Sequence, residues 1–171
     1  MSYLANDQFS PGETIRRMVP SATVFLSMLV MTLPMPFAWG VMPNLALLFV
    51  IIWSSLQPRL MPSWAAFGLG LFADLLFGGP IGVWALLYPA CAIAVGMAES
   101  RAEGHSLNID WAFASVLLIL AQLLCWQFLH FTGWEAPLLP LMVQVLITIL
   151  AYPLAAVVAG RIQRRLIDVQ G

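Results

Sequence analysis

The chain has 171 residues, of which 61% are hydrophobic and only 9% are charged, with a formal net charge of −1. Soluble domains carry about 25% charged residues, so this chain lacks the polar side chains that a water-facing surface requires. The composition therefore excludes a soluble globular protein and indicates an integral membrane protein. At about 20 residues per spanning helix, the length allows at most about six spans, with no room for a separate soluble domain.

Six apolar runs follow one another along the chain, and we interpret each as a membrane-spanning helix. The runs cover residues 18–33, 41–56, 62–77, 80–98, 109–131 and 138–160. A polar cytoplasmic tail, residues 1–17, precedes the spanning domain of residues 18–160, and a basic cytoplasmic tail, residues 161–171, follows it. The second run is short for a full crossing. In this interpretation Pro80 is the first residue of the fourth helix.

The arginines indicate which side of the membrane each loop faces. The seven basic residues are Arg16, Arg17, Arg59, Arg101, Arg161, Arg164 and Arg165. With six spans, all of them fall in the two tails, the loop between spans 2 and 3, and the loop between spans 4 and 5, which lie on one side. Because cytoplasmic loops are rich in basic residues, both termini are predicted to be cytoplasmic. Five spans would scatter the arginines over both sides.

Tryptophans lie near both predicted membrane boundaries, as interfacial aromatic residues do. Trp39, Trp84, Trp126 and Trp134 are predicted at the outer boundary, and Trp53, Trp64 and Trp111 at the inner one. Small residues recur at four-residue spacing on three spans and predict close helix contacts, either within the chain or with a partner. They are Ala66 and Gly70 on the third span, Ala90, Ala94 and Ala98 on the fourth, and Ala151, Ala155 and Ala159 on the sixth.

One carboxylate lies in the middle of this apolar sequence. Asp74 is the only charged residue between Arg59 and Glu99, and it lies about 6 Å from the outer end of the third span. In a structural interpretation, it accepts hydrogen bonds from amides around residues 79–82 and from the N-terminus of the fourth span, which fastens the hairpin. In a functional interpretation, it contacts a partner span or a lipid headgroup.

The other polar residues within the spans form no catalytic pattern. The sequence contains no nucleophile–base pair at helical spacing, no pair of carboxylates on one span and no phosphate-binding glycine loop. Cys91 and Cys125 lie in apolar runs, which is typical of packing residues. We therefore predict a protein that is not an enzyme, with no cofactor, no metal and no nucleic-acid partner. A transporter is the more serious alternative, since Gln122 and Gln144 would be able to line a cavity.

A series of features in the central part of the chain, from residue 43 to residue 88, resembles one known family. The features are Pro43-Asn44, Leu47-Leu48, Trp53, Pro58-Arg59, Phe67, Gly70, Asp74-Leu75-Leu76-Phe77-Gly78-Gly79-Pro80-Ile81-Gly82 and Ala85-Leu86-Leu87-Tyr88. In order and spacing they resemble the bacterial rod-shape-determining protein MreD. The other spans match that family only in length, hydrophobicity and topology. The resulting candidates for structural or partner contacts are Asp74, Gly78, Gly79, Pro80, Gly82, Pro43, Asn44 and Arg59.

The resemblance implies a non-enzymatic component of the bacterial inner membrane that maintains cell shape by scaffolding lateral peptidoglycan synthesis. Its direct partner would be MreC, which has one span and a periplasmic coiled coil. The MreB filament, RodA, RodZ and the class B penicillin-binding transpeptidase would associate more indirectly. Membrane lipid would surround the protein, and a homodimer is left open.

The fold that the resemblance implies is a compact all-α bundle of six transmembrane helices. It is similar to the S components of energy-coupling-factor transporters, which bind vitamins. A substrate-binding subunit of such a transporter is therefore the alternative function, although fold alone does not decide function. In the S components, an alanine stripe on the first span docks the energising subunit. Here Leu26 follows Ala22 at that spacing, which weakens the alternative.

Overall fold

The computed structural model describes residues 11–33, 41–99, 107–133 and 137–167. These residues form six α-helices, and each of the six predicted apolar runs overlaps one of them. The helices are α1 (Pro11–Thr32), α2 (Leu45–Leu56), α3 (Ser63–Phe77), α4 (Val83–Glu99), α5 (Leu107–Phe131) and α6 (Leu138–Ile162), and a π-helical turn, Gln163–Ile167, continues α6. The prediction of an all-α chain is confirmed for the described residues.

Several helix ends differ from the predicted ones. The prediction that Pro80 begins the fourth helix is wrong, because the helix begins at Val83. Gly82 has a φ of 109°, which is not helical, so the chain is still turning at that residue. At the two ends of the chain, α1 begins at Pro11 within the predicted tail, and α6 with its π-helical turn extends into the basic segment.

The short helix α2 lies at the centre of the bundle. It packs against α1, α4, α5 and α6. Its buried residues are Ala46, Leu47, Leu48, Val50, Ile51, Ile52, Trp53 and Ser54. Since these residues are almost consecutive, every face of the helix is covered by protein, as expected for a helix that is apolar all round.

Each of the other five helices contacts the next one along the chain. Thus α1 contacts α3, α3 contacts α4, α4 contacts α5, and α5 contacts α6. The central position of α2 encloses Trp53, and its place at the inner membrane boundary stays a prediction. Its side chain is 0% exposed, and its indole Nε1–H donates to Thr23 Oγ1 at 2.7 Å, which links α2 to α1.

Two of the predicted small-residue contacts are made within the chain. Ala66 and Gly70 are buried on α3, and Ala155 and Ala159 are buried on α6. The stripe on α4 differs, because Ala90 is exposed and the residues at positions 94 and 98 are only half-buried. That stripe forms no buried contact within the described part of the chain, and its role in a partner contact stays a prediction.

Two helices are long and apolar enough to span a membrane, namely Asn108–Phe131 and Leu138–Arg165. Only 28% and 17% of the residues in their most apolar stretches are buried. A core helix of a soluble protein would bury its apolar side chains, whereas Leu139 and Leu154 on α6 are among the most exposed side chains described. This exposure is expected of helices that contact lipid. Shorter apolar helices cover Met18–Thr32, Leu45–Leu56, Ser63–Phe77 and Val83–Ala98.

Candidate functional site

The first candidate site is the α3–α4 hairpin, where the Asp74 carboxylate caps the neighbouring helix. Oδ2 accepts hydrogen bonds from the backbone N–H of Gly82 at 2.9 Å and of Ala85 at 3.1 Å, and Oδ1 accepts one from Trp84 N–H at 2.9 Å. These groups lie at the N-terminus of α4, where backbone donors have no acceptor within their own helix. Asp74 therefore caps α4 from the neighbouring helix α3, as an aspartate at the N-cap position caps the helix that follows it.

The environment of Asp74 favours the structural interpretation. The side chain is only 1% exposed, and burial of a carboxylate is costly unless it is hydrogen-bonded. Three N–H donors and the positive end of α4 offset that cost. Gly82 precedes the first residue of α4 and has no side chain with which to cap it. The functional interpretation, a contact with a partner span or a lipid headgroup, requires an accessible carboxylate and does not fit this geometry.

Gly70 allows α3 and α4 to approach closely enough for these bonds. It lies one turn before Asp74 on the same face of α3. A Cβ at this position would overlap the Trp84 carbonyl oxygen and would lie 2.6 Å from Trp84 C and 2.8 Å from Ala85 Cα. Because these atoms belong to the backbone of α4, no side-chain rotation would relieve the overlap.

The turn of the hairpin depends on glycine at two positions. Gly78 has a φ of 67° and ends α3 in the left-handed conformation, and Gly82 has a φ of 109°. Residues with a Cβ rarely adopt such φ values. Gly79 and Pro80 lie between them and are half-buried. Gly70, Asp74, Gly78 and Gly82 together fix the geometry of this hairpin.

The second candidate site is a group of hydrogen bonds at the start of α2, which we call the α2 polar network. Asn44 N–H donates to Thr148 Oγ1 at 2.9 Å, and the Thr148 hydroxyl donates to Gln144 O at 2.6 Å. Gln144 Nε2 donates to Met42 O at 3.0 Å, while Gln144 Oε1 accepts from Gln122 Nε2 at 3.0 Å. The network therefore joins two helices, α5 and α6, to the segment that leads into α2.

The α2 polar network lies at membrane depth because α2 begins inside the bundle. Thr148 is ten residues into α6, which is about 15 Å along the helix axis. Residues 41–44 are not helical, and irregular backbone at this depth is tolerated only where protein supplies its hydrogen bonds. Gln144 and Thr148 supply them. Asn44 completes the arrangement, since its Oδ1 accepts from Leu47 N–H at 3.2 Å and caps α2.

A known family matches a larger part of the chain than the central features of residues 43–88 cover. The family model described as rod shape-determining protein MreD matches residues 13–159. The chain belongs to the MreD family. The match extends from α1 to the last turns of α6, well beyond residues 43–88. No curated protein and no solved structure matches the chain.

Family membership, together with the two long apolar helices, makes this chain a membrane protein, and the family description supports a role in determining rod shape. The candidate contact residues taken from that resemblance occupy three places in the structure. Those of residues 74–82 form the hairpin, and Pro43 and Asn44 lead into the α2 polar network. Arg59 is exposed in the turn of residues 58–60 between α2 and α3, which Leu60 N–H closes by donating to Gln57 O at 2.9 Å.

The chemistry of these sites in the MreD-family chain is structural. The Asp74 carboxylate and the side chains of the α2 polar network are hydrogen-bonded to the chain itself. Gln122 and Gln144, which would line a cavity in the transporter alternative, are bonded to each other. Among the described residues, no group of three or more His, Cys, Asp or Glu side chains is placed to hold a metal ion.

Proposed function

We propose that this chain is a six-span, non-enzymatic component of the bacterial inner membrane that supports lateral peptidoglycan synthesis through MreC. The observation that carries the proposal is the match of residues 13–159 to the rod shape-determining MreD family. Within that role, the chain would bind MreC directly. The MreB filament, RodA, RodZ and the class B transpeptidase would belong to the same complex.

The arrangement of helix ends supports six spans with cytoplasmic termini. Residues at the C-terminus of α2, the N-terminus of α5 and the C-terminus of α6 line one cavity, so these ends lie together. Arg59 follows α2 by a few residues, and Arg161 and Arg164 lie at that end of α6. At the other end of the bundle, the hairpin turn of residues 78–82 connects α3 to α4 and carries no charge. Arginines gathered at one end favour a cytoplasmic position for that end.

A scaffolding role agrees with how the chain uses its few polar groups. Asp74 and the α2 polar network hold helices in place and leave the outer faces of α5 and α6 apolar. A membrane-embedded partner such as the single span of MreC would dock on such faces through van der Waals packing. The transporter alternative has no support, because Gln144 bonds the backbone before α2 and Gln122 bonds the Gln144 side chain.

Co-purification tests the proposal. The tagged chain is solubilised from host membranes in a mild detergent, and MreC in the eluate is quantified against an unrelated tagged six-span protein prepared in parallel. We expect MreC to be retained by this chain and not by the control. Absence of MreC, together with saturable binding of a vitamin-like ligand, would contradict the proposal and support a transporter subunit.

A further inference from the structure

A cavity of about 600 Å³ lies between α2, α5 and α6, at the end of the bundle opposite the hairpin turn. Its size is in the range of binding sites for small organic ligands. Neither the hairpin nor the α2 polar network contributes to it. Its wall includes Leu56 from α2, Trp111 from α5, and Tyr152, Ala156 and Arg161 from α6. The cavity is therefore a separate feature of the fold.

The lining of this cavity is amphipathic along the axis of α6. Ile52, Ala156 and Val157 provide an apolar wall, while Arg161 and Arg164 provide two guanidinium groups beyond it. Both arginines are exposed and line the same cavity, Arg161 from α6 and Arg164 from the π-helical turn that continues it. Guanidinium groups bind phosphate oxygens through paired hydrogen bonds. A ligand that matches this lining has a hydrocarbon part joined to an anionic headgroup.

We propose that this cavity binds an anionic phospholipid, with an acyl chain against the apolar wall and the phosphate on Arg161 and Arg164. Basic pockets between helices at the cytoplasmic side of membrane proteins bind anionic headgroups. Trp111, partly exposed at the cavity, is the residue type that lies at headgroup level. Binding of lipid in this cavity does not depend on the role in cell shape.

Asp110 refines the chemistry of the headgroup. Its carboxylate lines the same cavity from the first turn of α5, so the charged side chains among the described lining residues sum to a single positive charge. A phosphodiester carries one negative charge and balances that sum, whereas a phosphate dianion would repel the carboxylate. A phospholipid with a singly charged phosphodiester headgroup, such as phosphatidylglycerol, therefore fits this lining.

Small residues on α6 leave the space that the acyl chain would occupy. Gly160 lines the cavity, and a Cβ at this position would meet no atom within 4 Å. A side chain at position 160 would therefore begin in open space, and leucine there would occupy part of the cavity. Gly160→Leu tests the shape of the cavity without changing its charge.

Native mass spectrometry of the full chain in a neutral detergent tests this proposal. Phosphatidylglycerol, phosphatidylcholine and inorganic phosphate are added in separate titrations. We expect phosphatidylglycerol to bind in preference to the other two. We also expect Arg161→Gln and Arg164→Gln each to weaken its binding about fivefold, and Gly160→Leu to weaken it as well. Arg165→Gln is the matched control, because Arg165 is exposed on the same turn but does not line the cavity.

Three results would overturn the proposal. Equal binding of phosphatidylcholine would show that the arginines do not select an anionic headgroup. Competition by inorganic phosphate at equal concentration would show that the acyl chain does not contribute to binding. An equal loss of binding in Arg165→Gln would indicate general attraction to a basic surface. Circular dichroism of each variant checks that the fold is retained.

Discussion

Replacement of Asp74 by alanine would remove the acceptor for three backbone N–H groups, those of Gly82 and of two residues in the first turn of α4. Loss of an N-cap acceptor costs about 0.5–2 kcal/mol of stability, and loss of a charge at a partly buried helix N-terminus costs up to about 2 kcal/mol. We therefore expect the free energy of unfolding to fall by about 2–4 kcal/mol. For a chain of this length, that corresponds to a decrease of roughly 5–15 °C in melting temperature.

Asp74→Asn should lie between the wild-type protein and Asp74→Ala. The side-chain carbonyl of asparagine would keep the two bonds that Oδ2 accepts from Gly82 and Ala85. Its amide group would then face Trp84 N–H, so one donor loses its acceptor. An unsatisfied buried donor costs about 1–3 kcal/mol, and we expect a loss of about 1–2 kcal/mol for this variant.

Thermal unfolding in detergent, followed by size-exclusion chromatography of a fluorescent fusion, measures this order of stability. Leu75→Ala is the matched control, because Leu75 is the next residue on α3 and is 63% exposed. The reasoning is refuted if Asp74→Ala melts at the wild-type temperature, or if Leu75→Ala lowers the melting temperature by as much.

The same thermal assay checks three further predictions. Gly70→Ala should destabilise the protein by more than about 1 kcal/mol, because the new Cβ would overlap the α4 backbone. Its control, Gly68→Ala, places the Cβ in open space and should be neutral or slightly stabilising. Thr148→Val should cost about 1–3 kcal/mol by leaving a buried N–H without an acceptor, whereas Thr132→Val, on an exposed residue bonded only within its own helix end, should cost little. Gly82→Ala should cost about 1 kcal/mol or more, because its φ is positive. An equal effect within either matched pair, or a neutral Gly82→Ala, would contradict the corresponding reasoning.

The positions of the helices were predictable from hydrophobic runs, because each run was long enough for a helix and was bounded by polar or turn-forming residues. Their surroundings were less predictable. An apolar helix such as α2 has the same composition whether lipid or protein surrounds it, so the burial of Trp53 within the bundle was not predictable. The start of α4 was misplaced at Pro80, because the φ of Gly82 depends on the packing of the whole hairpin.

The two candidate sites were predictable to different degrees, because the bonded groups lie close in sequence in one site and far apart in the other. An isolated Asp74 before a Gly-Gly-Pro turn indicated a local cap, and donors at Gly82 and the first turn of α4 lie close in sequence. The α2 polar network gave no such signal. Gln144 bonds the carbonyl oxygen of Met42, which is 102 residues away, and a backbone acceptor has no signature in the sequence.

The most direct test of the central claim is cell shape after depletion of this protein in its rod-shaped host. The length-to-width ratio of the cells is measured by microscopy over several generations, with re-expression of the chain as the control. Membership of the MreD family predicts that the cells become round and that re-expression restores rods. Cells that keep their rod shape but require an added nutrient would contradict the account.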